Sequence, residues 1–202
     1  MSTPSQLHFL ALGDSYTIGE GVAEAEAERW PAQLAHALGT PAAEILARTG
    51  WTTDELAAAM AQHVFHPPYD LVTLLIGVNN QYRGRDLANY REEFRALLER
   101  AIELAGDRPE RVIVVSIPDW GVTRFGHESK RDTAQIAREI DLYNAANAEI
   151  SRSARVHYVD VTMFSREDPG LVVDDGLHPS GAAYRRWSEA VLPIARRALS
   201  SR

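Results

Sequence analysis

Apolar residues gather in short, nearly continuous runs at 7–12, 71–76, 112–117 and 156–161, with a weaker one at 43–47. A run that is apolar at successive positions, without alternation, suits a strand buried on both faces. Amphipathic stretches lie between the runs. The segment 30–38 carries Pro31 near its start and Gly39 just past its end, as helices do. The segment 53–63 opens on Thr-Thr-Asp, a helix-capping signal. Over 86–105, Tyr90, Phe94, Leu97, Leu98 and Ala101 share one helical face. Further helices are expected over 133–151 and 180–199. Five strand–helix alternations predict an α/β fold, a three-layer α/β/α sandwich on a five-stranded parallel sheet.

In such folds the chemistry collects beyond the C-terminal ends of the strands. Ser15 follows the first run, Gly50 the second and Gly77-Val78-Asn79-Asn80 the third, so all fall on one edge of the sheet. The longest irregular stretches are 118–132 and 165–179, and loops of that length in a compact domain are often functional. No repeat, linker or low-complexity segment interrupts the pattern. Residues 1–202 are therefore expected to form a single domain, long enough to bury a substantial core.

Composition narrows the chemistry. Hydrophobic residues at 45% and charged residues at 24% are ordinary for a soluble globular protein. A formal charge of −7 argues against nucleic acid as a partner and leaves a small neutral substrate open. The chain has no cysteine, which excludes disulfides, thiol catalysis and thiolate metal sites. Residues 1–6 lead directly to the first run without the basic and apolar regions of a signal peptide. No run approaches the ~18 apolar residues of a membrane span. The expectation is a cytoplasmic protein, or a periplasmic or secreted one if a leader was removed. Its oligomeric state is left open.

Ser15, in Gly13-Asp14-Ser15, is a candidate nucleophile at the turn after the first strand. Taken alone, the tripeptide reads equally as a turn or a helix cap. His178, in Asp175-Gly176-Leu177-His178, is a candidate general base. Pro179 steers it towards an extended backbone, and Asp175 lies three residues away, within reach of Nδ1. Asp174 competes for that role. Serine is a poor nucleophile until a base takes its proton. Acyl transfer also needs donors for the developing oxyanion. The Ser15 amide, the Gly50 amide and the Asn79 side chain are candidates, with ordinary turns as the alternative for the last two.

Taken in order, the Gly-Asp-Ser block at Ser15, Gly50, the Gly-x-Asn block at Asn79 and the Asp-x-x-His block at Asp175 and His178 resemble the SGNH hydrolases, also called GDSL esterases/lipases. The resemblance spans nearly the whole chain. It implies a flavodoxin-like sandwich and metal-independent hydrolysis of esters, thioesters or related acyl groups, with no cofactor. It implies Ser15 as nucleophile, Gly50 and Asn79 beside the Ser15 amide in an oxyanion hole, His178 as base and Asp175 as its partner. Asp14 is implied to support the serine. Two positions depart from the family pattern: Tyr16 stands where leucine often follows the serine, and Asn80 where aspartate commonly follows the asparagine.

The expected activity is hydrolysis of short- to medium-chain carboxylic esters. A lysophospholipase or thioesterase is the second choice and a carbohydrate O-deacetylase the third, because fold does not select among substrates. Tyr82, Arg83, Trp120, Phe125 and Val172 are expected to line the substrate pocket, with Arg83 or Arg124 open to an anionic head group. Two rivals are weaker. A nucleotide- or flavin-binding module lacks its phosphate loop, since Gly19-Glu20-Gly21 has neither a third glycine nor Lys-Ser/Thr. A metal site at His63 and His66 lacks an evident acidic partner and runs into Pro67-Pro68.

Overall fold

The computed structural model describes residues 7–200, so the expectation about residues 1–6 lies outside it. The chain runs β1 (Phe9–Gly13), α1 (Ser15–Ile18), α2 (Ala25–Glu28), α3 (Trp30–Leu38), β2 (Glu44–Ala47), α4 (Thr53–Gln62), β3 (Leu71–Leu75), α5 (Val78–Tyr82) and α6 (Leu87–Leu104). It continues with β4 (Val112–Val115), α7 (Arg124–Glu128), α8 (Thr133–Ser153), β5 (His157–Val159), α9 (Thr162–Glu167) and α10 (Gly181–Ser200). The five strands form one parallel sheet in the order β2-β1-β3-β4-β5.

The hydrophobic pattern explains the layering. Every residue of β1, β3 and β4 is buried, as their nearly continuous apolar runs lead one to expect. β2 lies at an edge and is only half buried, which is why its run, with Glu44 at its head, is the faintest. On one side α3 packs along α10; on the other α4, α6 and α8 lie in a row. Aromatic residues fill the space beneath them, with Trp30, Tyr90, Phe94, Tyr184 and Trp187 fully buried. Among the described residues, no helix is long and apolar enough to cross a membrane.

Strand order reverses between β1 and β3, so the connections that leave them run in opposite directions and open a crevice beyond their carboxyl ends. Ser15 leaves β1 and Asn79 follows β3, one on each side of it. Gly13 makes the tight exit from β1 possible. A Cβ on it would stand 2.5 Å from the Leu75 carbonyl oxygen and 2.1 Å from Thr17 Oγ1. Gly13→Ala is accordingly expected to lower the melting temperature by several degrees, the cost of overpacking at a rigid backbone contact. A melting curve unchanged from that of the parent would contradict this.

The long loops are less irregular than their composition suggests. The stretch 118–132 contains a 3₁₀ turn at Trp120–Val122 followed by α7. Asp119 and Thr123 cap these two pieces by accepting from the Gly121 and Gly126 amides. α7 then docks on the Asp175 turn, where the Phe125 amide donates to the Gly176 carbonyl at 3.0 Å.

Candidate active site

Ser15 begins α1, and Asp14 caps that helix by accepting the Tyr16 amide at 3.0 Å. The cap turns the Ser15 side chain into a cavity of about 250 Å³ at the crevice. Gly50, Asn79 and His178 line the same cavity, so four separate loops converge there. Among the described residues, the Ser15 hydroxyl and the Ser15 and Gly50 amides make no hydrogen bond. All three groups are left available to a ligand.

Gly50 has φ +85°, a conformation that other residues adopt only under strain. Its loop is held from both sides. The Arg83 guanidinium donates to the Gly50 carbonyl at 2.6 Å. Downstream, Thr52 and Glu55 form a capping box at the start of α4, with the Thr52 amide donating to Glu55 Oε2 at 2.9 Å.

Asn79 sits in the first turn of α5, and its Nδ2 donates to the Trp51 carbonyl at 2.9 Å. An amide carries two hydrogens, so one fixes the side chain to the Gly50 loop and the other stays free. Gly77, just before α5, has φ +126°, and the Tyr90 ring fills the place where its side chain would stand. Asn80, the departure from the family pattern, ties α5 to α4. It accepts the Thr53 amide at 3.1 Å and donates to Thr53 Oγ1 at 2.6 Å.

His178 Nδ1 lies 2.6 Å from Asp175 Oδ2. Asp175 Oδ1 accepts the Leu177 and His178 amides at 2.7 and 3.0 Å. Burial alone would raise the Asp175 carboxyl, but the imidazole and the two amides outweigh it and hold it below the ordinary value. An ionised Asp175 only accepts, so Nδ1 carries a hydrogen, and in the neutral ring this tautomer puts the lone pair on Nε2. The backbone of this turn is braced by Val173, whose amide donates to the His178 carbonyl at 2.8 Å. Asp174, the competing carboxylate, offers its carbonyl to Arg124.

Asp14 is fully buried. Its Oδ2 has no hydrogen-bond partner, and burial raises its carboxyl from 3.8 to about 7. One amide hydrogen bond does not offset the loss of water.

Tyr82, Trp120 and Phe125 form an aromatic wall of the Ser15 cavity. The Trp120 indole donates to Gln81 at 2.7 Å, Gln81 donates to Glu139 at 2.6 Å, and Arg131 lies over the Trp120 and Tyr82 rings. Two expected pocket residues lie elsewhere. Arg83 turns to the Gly50 carbonyl and Glu55, both stronger partners than an apolar cavity. Val172 pairs with Pro179 in a short antiparallel bridge and lines a neighbouring cleft. Arg124 is likewise engaged, packed over Gly176. Tyr16, Thr49, Val78 and Leu177 line the cavity without having been singled out for it. Each is the chain neighbour of a motif residue, which was the signal available.

His63 bonds Glu44 at 2.7 Å, and the His66 amide bonds the Tyr69 hydroxyl. Among the described residues, no three His, Asp or Glu side chains gather where they could hold a metal ion.

Comparison with known proteins places the chain in a family. The model of the GDSL-like Lipase/Acylhydrolase family matches residues 11–186. No curated protein matches in sequence. Among solved structures, a lipase/acylhydrolase from Enterococcus faecalis superposes with a TM-score of 0.68 at 21% identity, over 95% of this chain and 97% of that one. A mutant of the acetyl-xylooligosaccharide esterase Axe2 from Geobacillus gives 0.68 at 20% identity, over 100% and 98%. A phospholipase A1 from Streptomyces albidoflavus gives 0.62 at 18% identity, over 96% and 100%. These likenesses show the same α/β fold, and the family match, which takes in Ser15, Gly50, Asn79, Asp175 and His178, goes further: the chain belongs to the GDSL-like lipase/acylhydrolase family and is an ester hydrolase.

Proposed function

We propose that this protein hydrolyses short- to medium-chain carboxylic esters through an acyl-enzyme on Ser15. The observation that carries the reading is the convergence of Ser15, Gly50, Asn79 and His178 on one cavity, with Asp175 at 2.6 Å behind the imidazole. Ser15 Oγ attacks the ester carbonyl carbon while His178 Nε2 takes its proton. The carbonyl oxygen becomes an oxyanion held by the Ser15 and Gly50 amides and the free hydrogen of Asn79 Nδ2. As the tetrahedral intermediate collapses, the bond to the leaving oxygen breaks and His178 returns the proton to the alcohol. Water then attacks the acyl-enzyme, giving its proton to His178. The acid departs and Ser15 regains its hydrogen.

A cavity of about 250 Å³ lined by Tyr16, Tyr82, Trp120 and Phe125 supports a compact acyl or alcohol group over a long lipid. That favours short esters over a lysophospholipid, and a sugar acetate that fits the same walls falls within the same reading.

Two measurements test the site. A short phosphonofluoridate is expected to add to Ser15 and to no other serine, read by mass spectrometry of the peptides; labelling elsewhere with Ser15 untouched would refute the nucleophile. Asn79→Ala is expected to reduce kcat on p-nitrophenyl acetate by roughly 10²–10³-fold, the loss of one oxyanion donor.

A further inference from the structure

We propose that Tyr16 is the wall that limits alkyl chain length in this site, by closing off a narrow cleft behind it that would take the end of an unbranched alkyl chain once opened. This rests on the Ser15 cavity being the reaction site. Tyr16, Trp120 and Leu177 line both the Ser15 cavity and the cleft, so these three side chains separate the two. Phe164, Leu171, Val172, Ala183 and Trp187 supply apolar walls on the far side. The charged groups at its margin are already paired, Asp119 with Arg166 at 2.9 Å and Arg186 with Asp168 and Glu167.

As it stands the cleft holds about 30 Å³, room for about two water molecules and no chain. The partition decides whether it is used. Trp120 is pinned by its hydrogen bond to Gln81 and covered by Arg131. Leu177 is anchored through its amide to Asp175. The Tyr16 amide is likewise tied to Asp14, but its hydroxyl makes no hydrogen bond among the described residues, so packing holds the ring. The Tyr16 ring lies 5.6 Å from His178 on one side and 6.0 Å from Trp187 on the other. Shortening it joins the two spaces. Each methylene that enters an apolar space gains roughly fourfold in binding.

The experiment compares kcat/KM across two ester series. One lengthens the acyl group of p-nitrophenyl esters from acetate to octanoate; the other lengthens the straight-chain alcohol of acetate esters. Tyr16→Leu is expected to raise the long-to-short ratio at least tenfold in one series, and the series that responds tells whether the cleft takes the acyl or the alcohol chain. Adding Ala183→Leu, which refills the cleft, is expected to return the ratio to the parent value. Tyr16→Phe is expected to keep the parent profile. An equal loss of rate at every length in Tyr16→Leu overturns the proposal, because Tyr16 would then act only through its packing on His178. If Tyr16→Leu does not fold, the unbranched Tyr16→Met is read in the same way. Phosphonofluoridate labelling separates the two readings. Ser15 labelled with an unshifted ratio defeats the chain-length inference alone, and no labelling of Ser15 in the parent defeats the catalytic reading.

Discussion

Ser15→Ala is expected to lower kcat for p-nitrophenyl acetate by roughly 10⁴-fold or more while leaving the melting temperature within a few degrees of the parent. The size follows from the role. Without Oγ no acyl-enzyme forms, and only the oxyanion donors and substrate binding remain to accelerate direct attack by water. The fold should survive because the Ser15 hydroxyl makes no hydrogen bond among the described residues, while the cap on α1 comes from Asp14. Alanine in the first turn of a helix adds no strain. Turnover close to that of the parent would show that the reaction does not pass through Ser15.

The second large effect concerns stability. Asp14 carries a carboxyl raised from 3.8 to about 7 by full burial. Below pH 3.8 the folded and unfolded chains both hold this proton, and the group contributes nothing to pH dependence. Between 3.8 and about 7 the folded chain keeps a proton that the unfolded chain has released. Stability therefore falls as pH rises, and above about 7 the whole penalty is present. The shift corresponds to ~4 kcal/mol. An asparagine in place of Asp14 would keep an oxygen to accept the Tyr16 amide and cannot ionise. Asp14→Asn is thus expected to gain on the parent as pH rises from about 5 to about 8, by roughly 5–10 °C in melting temperature. The difference between the two chains matters, because it cancels carboxylates such as Asp175 and Glu44 that are held low and act in the opposite direction. A difference that stays flat with pH would mean that Asp14 titrates normally.

The layers of the sheet could be read in advance because burial on two faces leaves an unmistakable run. β1, β3 and β4 are each continuous and fully buried, and α3, at Trp30–Leu38, falls where Pro31 and Gly39 bound it. The four- to six-residue helices α1, α2, α5, α7 and α9 were not legible, since so few residues hold too little of a 3.6-residue period. They are specified by caps, as at Asp14 and Thr123, and by contacts with distant loops.

The same division runs through the site. The sequence by itself determined which residues stand at the sheet edge and in what order. A strand's end is a local matter: Ser15 and Asn79 each follow a run that suits a buried strand, and Gly50 follows the weaker run of the half-buried edge strand β2. The Asp175–His178 pair was also local, because three residues of turn suffice to bring a carboxylate to an imidazole. Only the tertiary structure decided what surrounds them. Arg83 grips the Gly50 carbonyl instead of facing substrate, Val172 runs beside the His178 turn, and Tyr16 stands between two cavities. The direction of a loop side chain depends on partners tens of residues away, and no spacing along the chain encodes that. The chemistry was therefore local enough to be legible, while the shape of the pocket that selects an ester is a property of the folded chain.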